Sequence, residues 1–248
     1  MMALLELKNL RKNYGDFTVI DDFSLSIEKG ELRCLLGPNG AGKTTCIDLI
    51  SGRQKLTGGQ VYFQGEDITA KSEHEIVRRG IGRKFQVPAV FKELSVRDNF
   101  EVAFGKNRDP FRNMVNFHRS SGIKRYDEIL ELTGLHNRQD TVAGLLSHGE
   151  TQWLEIGMVL MQDPALLLMD EPTAGMTERE TYKTSQIFNT LKGTHTLVVV
   201  EHDMSFVREI ADVITVMHMG KLLAQGTISE IENNALVREV YLGTEGIH

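Results

Sequence analysis

The chain has 248 residues, enough for one compact domain with a buried core and a helical insertion. Its 28 lysines and arginines are outnumbered by 34 aspartates and glutamates, and the formal net charge of -6 argues against a broad nucleic-acid-binding surface, which needs clustered positive charge. The two cysteines make neither a disulfide framework nor a zinc-site spacing, as expected of a protein in a reducing cytosol.

The first part of the chain predicts β-strands, a glycine-rich loop and a helix. Apolar residues alternate in Leu5–Leu10 and in Phe23–Ile27, which is typical of half-buried strands. A strand over Leu32–Leu36 runs into the glycine-rich loop, and the helix that follows extends from Lys43 to Ser51. Gly58–Gly65 contains another short strand.

A helical region follows. From about Pro88 to Gly144 the strand pattern disappears, and its clearest helix runs from about Lys124 to Thr133. A further helix begins after Ser147.

The last part of the chain predicts a parallel sheet with α/β architecture. Its strands are nearly continuous in apolar residues, as strands buried on both faces should be: Leu166–Met169, Thr196–Val200 and Val213–Met217. Helices at about Glu178–Leu191 and Ser205–Ile210 separate them and provide right-handed crossovers. The longest apolar runs are only strand-length, so we expect a chain that is neither exported nor membrane-spanning.

The glycine-rich loop matches the phosphate-binding pattern G-x-x-x-x-G-K-[ST]. It consists of Gly37, Pro38, Asn39, Gly40, Ala41, Gly42, Lys43 and Thr44. Its backbone N–H groups and the positive end of the following helix favour an anion such as phosphate. Lys43 would reach the β- and γ-phosphates, Thr44 would ligate Mg²⁺, and Thr45 would add a phosphate contact. A glycine turn that binds nothing is the alternative, and the strand-to-helix context argues against it.

Two carboxylates follow the buried strand Leu166–Met169. Ligand groups of α/β proteins lie at the carboxyl edge of the sheet, where Asp170 would hold Mg²⁺. Glu171 would orient and polarise the attacking water, a role worth about 10²–10⁴ in rate for a general base. The alternative role for this pair is to cap the next helix.

The segment Leu146–Glu150 has two compatible interpretations. Ser147 followed three residues later by Glu150 is a capping box. A capped helix start beside Gly149 also exposes N–H groups to an anion. One nucleotide cannot easily use two helix N-termini from different lobes, so we infer that Ser147 and Gly149 serve the γ-phosphate of a second protomer's ATP.

Three single residues complete the candidate site. Gln86, at the boundary between the lobes, would bind Mg²⁺ or the attacking water and act in catalysis. His202 follows the strand Thr196–Val200 and would contact the γ-phosphate, although a lone histidine is usually structural. Tyr14 would stack on adenine, with packing in the sheet as the alternative.

Together these segments resemble the ATP-binding cassette family over nearly the whole chain. In family terms they look like the A-loop aromatic (Tyr14), the Walker A loop (Gly37–Thr44), the Q-loop (Gln86), the signature sequence (Leu146–Glu150), the Walker B end (Asp170, Glu171) and the switch histidine (His202). The resemblance implies an α/β fold with a P-loop NTPase core of mainly parallel sheet and flanking helices, an antiparallel β subdomain and an inserted α-helical subdomain.

We therefore expect a single domain over residues 1–248. The ATP-binding core with its β subdomain would occupy approximately 1–87 and 145–248, and the helical subdomain approximately 88–144, with the signature helix beginning near 147.

The resemblance also implies cofactors and partners. ATP and Mg²⁺ would bind between two chains in a head-to-tail dimer, with either an identical chain or a related paralogue as the second ATPase subunit. Each ATP would be held by Lys43 of one protomer and by Ser147 and Gly149 of the other. Closure and reopening would drive separate transmembrane permease subunits, supplied by a periplasmic or extracellular solute-binding protein. The chain would then lie at the cytoplasmic face of the cell membrane, with no nucleic-acid partner.

Within the family, the segments Leu146–Gly157 and Ala174–Thr177 are most similar to the ATPase subunit of urea importers, whereas Val237–Gly243 is similar to both urea and branched-chain amino-acid importers. We expect import of a small polar solute, urea first and branched-chain amino acids as the alternative. A cassette ATPase without a transport role and a nucleotide-binding module without hydrolysis are the rival classes.

The sequence departs from the common family pattern at two places. His148 and Glu150 replace the usual Gly and Gln of the signature, and Thr177 replaces the D-loop aspartate of many cassettes.

Overall fold

The computed structural model describes residues 3–84, 90–104 and 120–245. Its strands are β1 (Leu5–Tyr14), β2 (Phe17–Ile27), β3 (Leu32–Leu36), β4 (Gly58–Phe63), β5 (Glu66–Asp67), β6 (Ile81–Lys84), β7 (Leu166–Asp170), β8 (Thr196–Val200), β9 (Val213–His218) and β10 (Lys221–Gly226). Its helices are α1 (Lys43–Ile50), α2 (Glu73–Arg78), α3 (Val96–Phe104), α4 (Ser120–Thr133), α5 (His148–Leu160), α6 (Glu178–Leu191), α7 (Met204–Ile210), α8 (Ile228–Glu232) and α9 (Ala235–Glu245).

Within these ranges the larger sheet has six strands in the order β10-β9-β3-β8-β7-β6. The neighbours from β9 to β6 pair in parallel, and β10 pairs antiparallel with β9. Every residue of β3, β7 and β8 is buried, in keeping with sequences that are apolar apart from Arg33, Asp170 and Thr196. The predicted parallel sheet is confirmed for β7, β8 and β9, and the predicted strand Leu32–Leu36, here β3, lies in the same sheet.

Two strands of this sheet are absent from the prediction. Strand β10 is half-exposed at the sheet edge. Strand β6 is fully buried although it carries Arg83 and Lys84, because each side chain has an acidic partner. Arg83 Nη1 lies 2.6 Å from Asp48 Oδ1, and Lys84 Nζ lies 3.4 Å from Glu155 Oε2. A buried charge without such a partner is too costly to keep.

A smaller antiparallel sheet has the order β2-β1-β4-β5. Together with α1 it covers one face of the large sheet, where Ile20, Phe23 and Cys46 join a cluster that includes Leu35 and Leu168. Alternate residues of the same strands point to the opposite face. There Cys34, Leu167, Met169, Leu197 and Val199 pack with side chains from α5, α6 and α7. The large sheet is therefore covered on both faces.

The helices α3, α4 and α5 pack on one another beside this core. Phe100 of α3 and Tyr126 of α4 meet edge to face, with ring centroids 5.9 Å apart. A Cβ atom at Gly157 would lie 2.6 Å from the Phe100 ring, so α5 needs glycine where α3 crosses it. Helix α4 begins at Ser120, four residues before the predicted start. No helix among the described residues combines the length and apolarity needed to cross a membrane.

Candidate functional site

The phosphate-binding loop joins β3 to α1. Gly40 and Gly42 have φ of 80° and 100°, in the left-handed region that favours glycine. A Cβ atom at Gly42 would also lie 2.6 Å from Ile20 Cδ1. The Lys43 ammonium donates hydrogen bonds to the carbonyl oxygens of Gly37, at 2.7 Å, and of Pro38, at 3.1 Å. Burial lowers the pKa of Lys43, while the carboxylates of Glu171 and Asp170 act in the opposite direction.

Thr44 and Asp170 meet at the carboxyl edge of the large sheet. Asp170, the last residue of β7, is 1% exposed, and its Oδ1 lies 3.5 Å from the Thr44 hydroxyl. Its Oδ2 has no hydrogen-bond partner among the described residues. Burial raises the pKa of the Asp170 carboxyl, and the Thr44 hydrogen bond partly opposes this. A buried oxygen without a partner beside a hydroxyl fits Mg²⁺, which prefers oxygen ligands.

Glu171 and His202 lie at the same edge. Glu171 has φ of 46°, uncommon for a residue other than glycine, and its backbone N–H donates to Val200 O at 2.9 Å. Its side chain remains 39% exposed, and its Oε1 lies 3.9 Å from His202 Nδ1. The His202 side chain is 68% exposed. Both groups can therefore reach a ligand held by the phosphate-binding loop.

Glu201 is a residue of this edge that the sequence analysis missed. It is 1% exposed, and its Oε1 accepts hydrogen bonds from the Thr173 hydroxyl, at 2.7 Å, and from the Thr173 backbone N–H, at 3.2 Å. Its Oε2 accepts from the His202 backbone N–H at 3.2 Å. A glutamate that directly continues the buried strand β8 was the available signal.

The helix α5 begins with the predicted capping box. Ser147 Oγ accepts from the Glu150 N–H at 3.2 Å, and Glu150 Oε2 accepts from the Ser147 N–H at 2.9 Å. His148 Nε2 lies 2.9 Å from Ala174 O. The structure brings Thr44, Asp170, Glu171 and His202 together at one sheet edge. No hydrogen bond or ion pair among the described residues joins the signature residues Ser147 and Gly149 to that cluster.

Tyr14 lies at the end of β1 and is 48% exposed. Its hydroxyl is hydrogen-bonded to Gln54 Oε1, and Lys12 Nζ lies 4.7 Å from its ring centroid. The exposed ring leaves a stacking role open, as the sequence predicts. Gln86 lies outside the described residues, so its role stays a prediction.

A buried positive charge stands beside the carboxylates. Lys84, at the end of β6, is 3% exposed and pairs with Glu155 on α5. Burial lowers the pKa of Lys84, and the negative charges of Glu155, Asp170 and Glu201 oppose that effect. Lys84 thus connects the sheet edge to the helix that begins after Ser147.

Comparison with known proteins places this geometry in context. The family model described as "ABC transporter" matches residues 20–174. The probable branched-chain amino acid transport ATP-binding protein LivG of Archaeoglobus fulgidus is 36% identical over an alignment 254 positions long, which covers 98% of this chain and 97% of the relative.

Two solved structures of ATP-binding cassettes superpose on this chain. An ATP-binding cassette of an ABC transporter in its ADP conformation superposes with a TM-score of 0.86 at 32% identity, covering 98% of this chain and 100% of the other. A dimeric cassette in a post-hydrolysis state, bound to ADP and Pi, superposes with a TM-score of 0.77 at 26% identity, covering 90% of this chain and 98% of the other.

Proposed function

Because the chain belongs to the ABC transporter family, we propose that it is the importer ATPase subunit that drives uptake of branched-chain amino acids. The observation that carries the hydrolytic role is the edge cluster: the Thr44 hydroxyl lies 3.5 Å from the buried Asp170 carboxylate, and Glu171 and His202 stand beside it. These residues follow strands of one parallel sheet, where α/β proteins bind their ligands.

In the proposed mechanism the phosphate-binding loop holds the triphosphate by its backbone N–H groups and by Lys43. The Lys43 ammonium donates to the carbonyl oxygens of Gly37 and Pro38, which keeps it at the loop that would hold the phosphates. Thr44 and Asp170 would hold Mg²⁺, and Mg²⁺ supplies positive charge to the phosphate oxygens. Fixed charges of this kind act without reorganisation when negative charge shifts during phosphoryl transfer.

Glu171 orients the attacking water, and His202 contacts the γ-phosphate. The left-handed backbone at Glu171 turns the chain away from the sheet and leaves the carboxylate partly exposed. His202 Nδ1 lies within 3.9 Å of this carboxylate, so one small ligand can touch both side chains. Gln86 is proposed as a further contact to Mg²⁺ or water and Tyr14 as the adenine contact.

The proposed working unit is a dimer in which Ser147 and Gly149 of one chain contact the ATP of the other. Two observations support this. The helix start at Ser147 is capped, and among the described residues no hydrogen bond or ion pair joins it to the edge cluster of its own chain. A solved cassette similar to this chain is dimeric and holds ADP and Pi. Permease subunits, a solute-binding protein and a peripheral position at the cytoplasmic face of the membrane complete the proposal.

The solute has two candidates. The name of the relative from Archaeoglobus fulgidus favours branched-chain amino acids. Urea, which the sequence analysis ranked first from its interpretation of Leu146–Gly157 and Ala174–Thr177, becomes the second candidate, because the relatives found by comparison are named for branched-chain amino acids. These segments include His148 and Ala174, which contact each other.

The deciding experiment is ATP turnover by the reconstituted transporter with leucine or urea presented on its own binding protein. Leucine stimulation without urea stimulation supports the first candidate, and the reverse supports the second. If the transporter binds both solute-binding proteins but neither leucine nor urea stimulates its ATP turnover, the chain does not drive import of either solute.

A further inference from the structure

We propose that Glu201 is a positioning residue for ATP hydrolysis: its buried carboxylate ties the backbone after Glu171 to the backbone of His202 and so sets the separation of these two side chains. The inference rests on the roles proposed above for Glu171 and His202. Glu201 itself, at 1% exposure, lies below the surface that a nucleotide would touch.

The hydrogen bonds of Glu201 connect two loops that leave the sheet at neighbouring strands. One oxygen, Oε1, holds Thr173, which follows β7 and Glu171, through both its hydroxyl and its N–H, at 2.7 Å and 3.2 Å. The other oxygen, Oε2, holds the His202 N–H at 3.2 Å. The same carboxylate therefore holds both the backbone that follows Glu171 and the backbone of His202.

The resulting geometry places His202 between two carboxylates. His202 Nδ1 lies 3.9 Å from Glu171 Oε1 and also 3.9 Å from Glu201 Oε2. His202 and Glu171 are both partly exposed, so their side chains change rotamer readily and the position of their backbone decides which region each can reach. A shift of about 1 Å in a positioning contact can cost about a hundredfold in rate.

The buried charge makes this connection rigid. A carboxylate removed from water is strongly disfavoured unless hydrogen bonds and opposite charge compensate it. Glu201 has three hydrogen bonds from Thr173 and His202, and its charge acts on the buried ammonium of Lys84. Moving either loop away would leave this carboxylate undersatisfied, so both loops stay in register.

The test measures ATP turnover, KM and ATP affinity for variants of the full chain. Thr173→Ala removes the 2.7 Å hydroxyl contact but keeps the backbone N–H. We expect kcat to fall about tenfold while KM and the dissociation constant of ATP stay within about twofold. Thr173→Ser retains the hydroxyl and should recover most of kcat. Glu201→Gln replaces one accepting oxygen with a donor and should lose more, about a hundredfold.

A matched control separates positioning from general loss of stability. Thr133 is also fully buried, and its hydroxyl donates to Ile129 O at 2.7 Å within α4, away from the sheet edge. Thr133→Ala should leave kcat within about twofold of the unchanged chain. In a His202→Ala background, Thr173→Ala should reduce kcat by less than about twofold, because the contact sets the separation of Glu171 from His202 and one member of that pair is already gone.

Several outcomes would overturn the inference. They are unchanged kcat in Thr173→Ala, equal loss in Thr173→Ser, equal loss in Thr133→Ala, and full additivity with His202→Ala. The variant Glu171→Gln distinguishes two kinds of failure. If it turns over ATP at the normal rate, the proposed hydrolytic roles fail and the positioning role falls with them. If it collapses while Thr173→Ala is normal, only the positioning role is wrong.

Discussion

The Thr44 hydroxyl and the Asp170 carboxylate, 126 positions apart in the chain, lie 3.5 Å from each other. The contact joins the first residues of α1 to the last residue of β7. Asp170 Oδ2 is buried and has no hydrogen-bond partner among the described residues, so the pair leaves one carboxyl oxygen unsatisfied. A divalent cation bound to ATP would satisfy it.

The first prediction concerns this contact. Asp170→Asn should weaken binding of MgATP roughly tenfold or more, which is about 1.4 kcal/mol, because the amide oxygen is a weaker ligand than a carboxylate. With EDTA present, the variant and the unchanged chain should bind ATP equally. Titration calorimetry under the two conditions measures both quantities.

The matched control is Asp212→Asn, at the opposite edge of the same sheet, where the carboxylate accepts from the Leu32 N–H at 2.8 Å. It should keep the full Mg²⁺ dependence. Equal Mg²⁺ dependence in the Asp170 and Asp212 variants would contradict the metal role of Asp170.

The second prediction concerns Glu171. Glu171→Gln should preserve ATP binding and reduce turnover by about 10²–10⁴, since the amide cannot polarise the attacking water. With ATP present the variant should accumulate as a stable dimer, which light scattering after gel filtration would detect. Turnover near the normal rate would remove Glu171 from its proposed role.

Local patterns explain which parts of this site were predictable. The phosphate-binding loop and the capping box at Ser147 depend on residues within a few positions of one another, so the sequence predicts them directly. The buried strands β7 and β8 were predictable because each contains four consecutive apolar residues. These features account for most of the fold and for the edge cluster.

The parts that were missed depend on contacts between distant residues. Strand β6 reads as polar, and only the partners Asp48 and Glu155, on α1 and α5, explain its burial. Glu201 reads as the first residue after a strand, and its function depends on Thr173, 28 positions away. The periodicity of apolar residues in the sequence does not predict such pairs, because they form only when distant parts of the chain come together in the sheet.

The third prediction tests the two-chain site. Ser147→Arg should leave ATP binding by the single chain unchanged and prevent formation of the ATP-bound dimer, because the large cation would occupy the γ-phosphate position of the partner. The dimer can be scored in the Glu171→Gln background by gel filtration with light scattering. An unimpaired dimer would contradict the shared site.

A matched control accounts for loss of the helix cap, which costs about 0.5–2 kcal/mol. Thr227 caps α8 with the same capping box, in which its side chain accepts from the Glu230 N–H at 3.4 Å. Thr227→Arg removes a comparable cap but should leave the dimer intact. If it abolishes the dimer as well, the effect of Ser147→Arg is one of stability.

The fourth prediction concerns the reactivity of Cys46, two residues after Thr44. The thiol is fully buried, and burial raises its pKa to about 12. Because the thiolate is the reactive form, a raised pKa lowers reactivity at neutral pH. We expect N-ethylmaleimide to leave Cys46 unmodified in the folded chain at pH near 7 and to modify it after unfolding in guanidinium chloride. Mass spectrometry measures both, and rapid labelling of the folded chain would contradict the burial.

The last prediction concerns the ion pair between Lys84 and Glu155, whose side chains are 3% and 6% exposed. Lys84→Met should lower the free energy of unfolding by about 3–5 kcal/mol, because it removes a buried cation that compensates the negative charge of the buried Glu155 carboxylate. Glu155→Leu should be less harmful, since the ammonium of Lys84 keeps the negative charges of Asp170 and Glu201 nearby. The double variant should recover part of the loss seen in Lys84→Met, because the apolar pair has no charge to desolvate.

Urea denaturation of the three variants measures these free energies, and the coupling between the two sites follows from the double-mutant cycle. The exposed pair Lys124 and Glu128, 3.7 Å apart on α4, provides the control, for which Lys124→Met should change stability by less than about 1 kcal/mol. If the double variant loses the sum of the single effects, the two charges act independently. In that case the pairing of Lys84 with Glu155 would not be what holds β6 against α5.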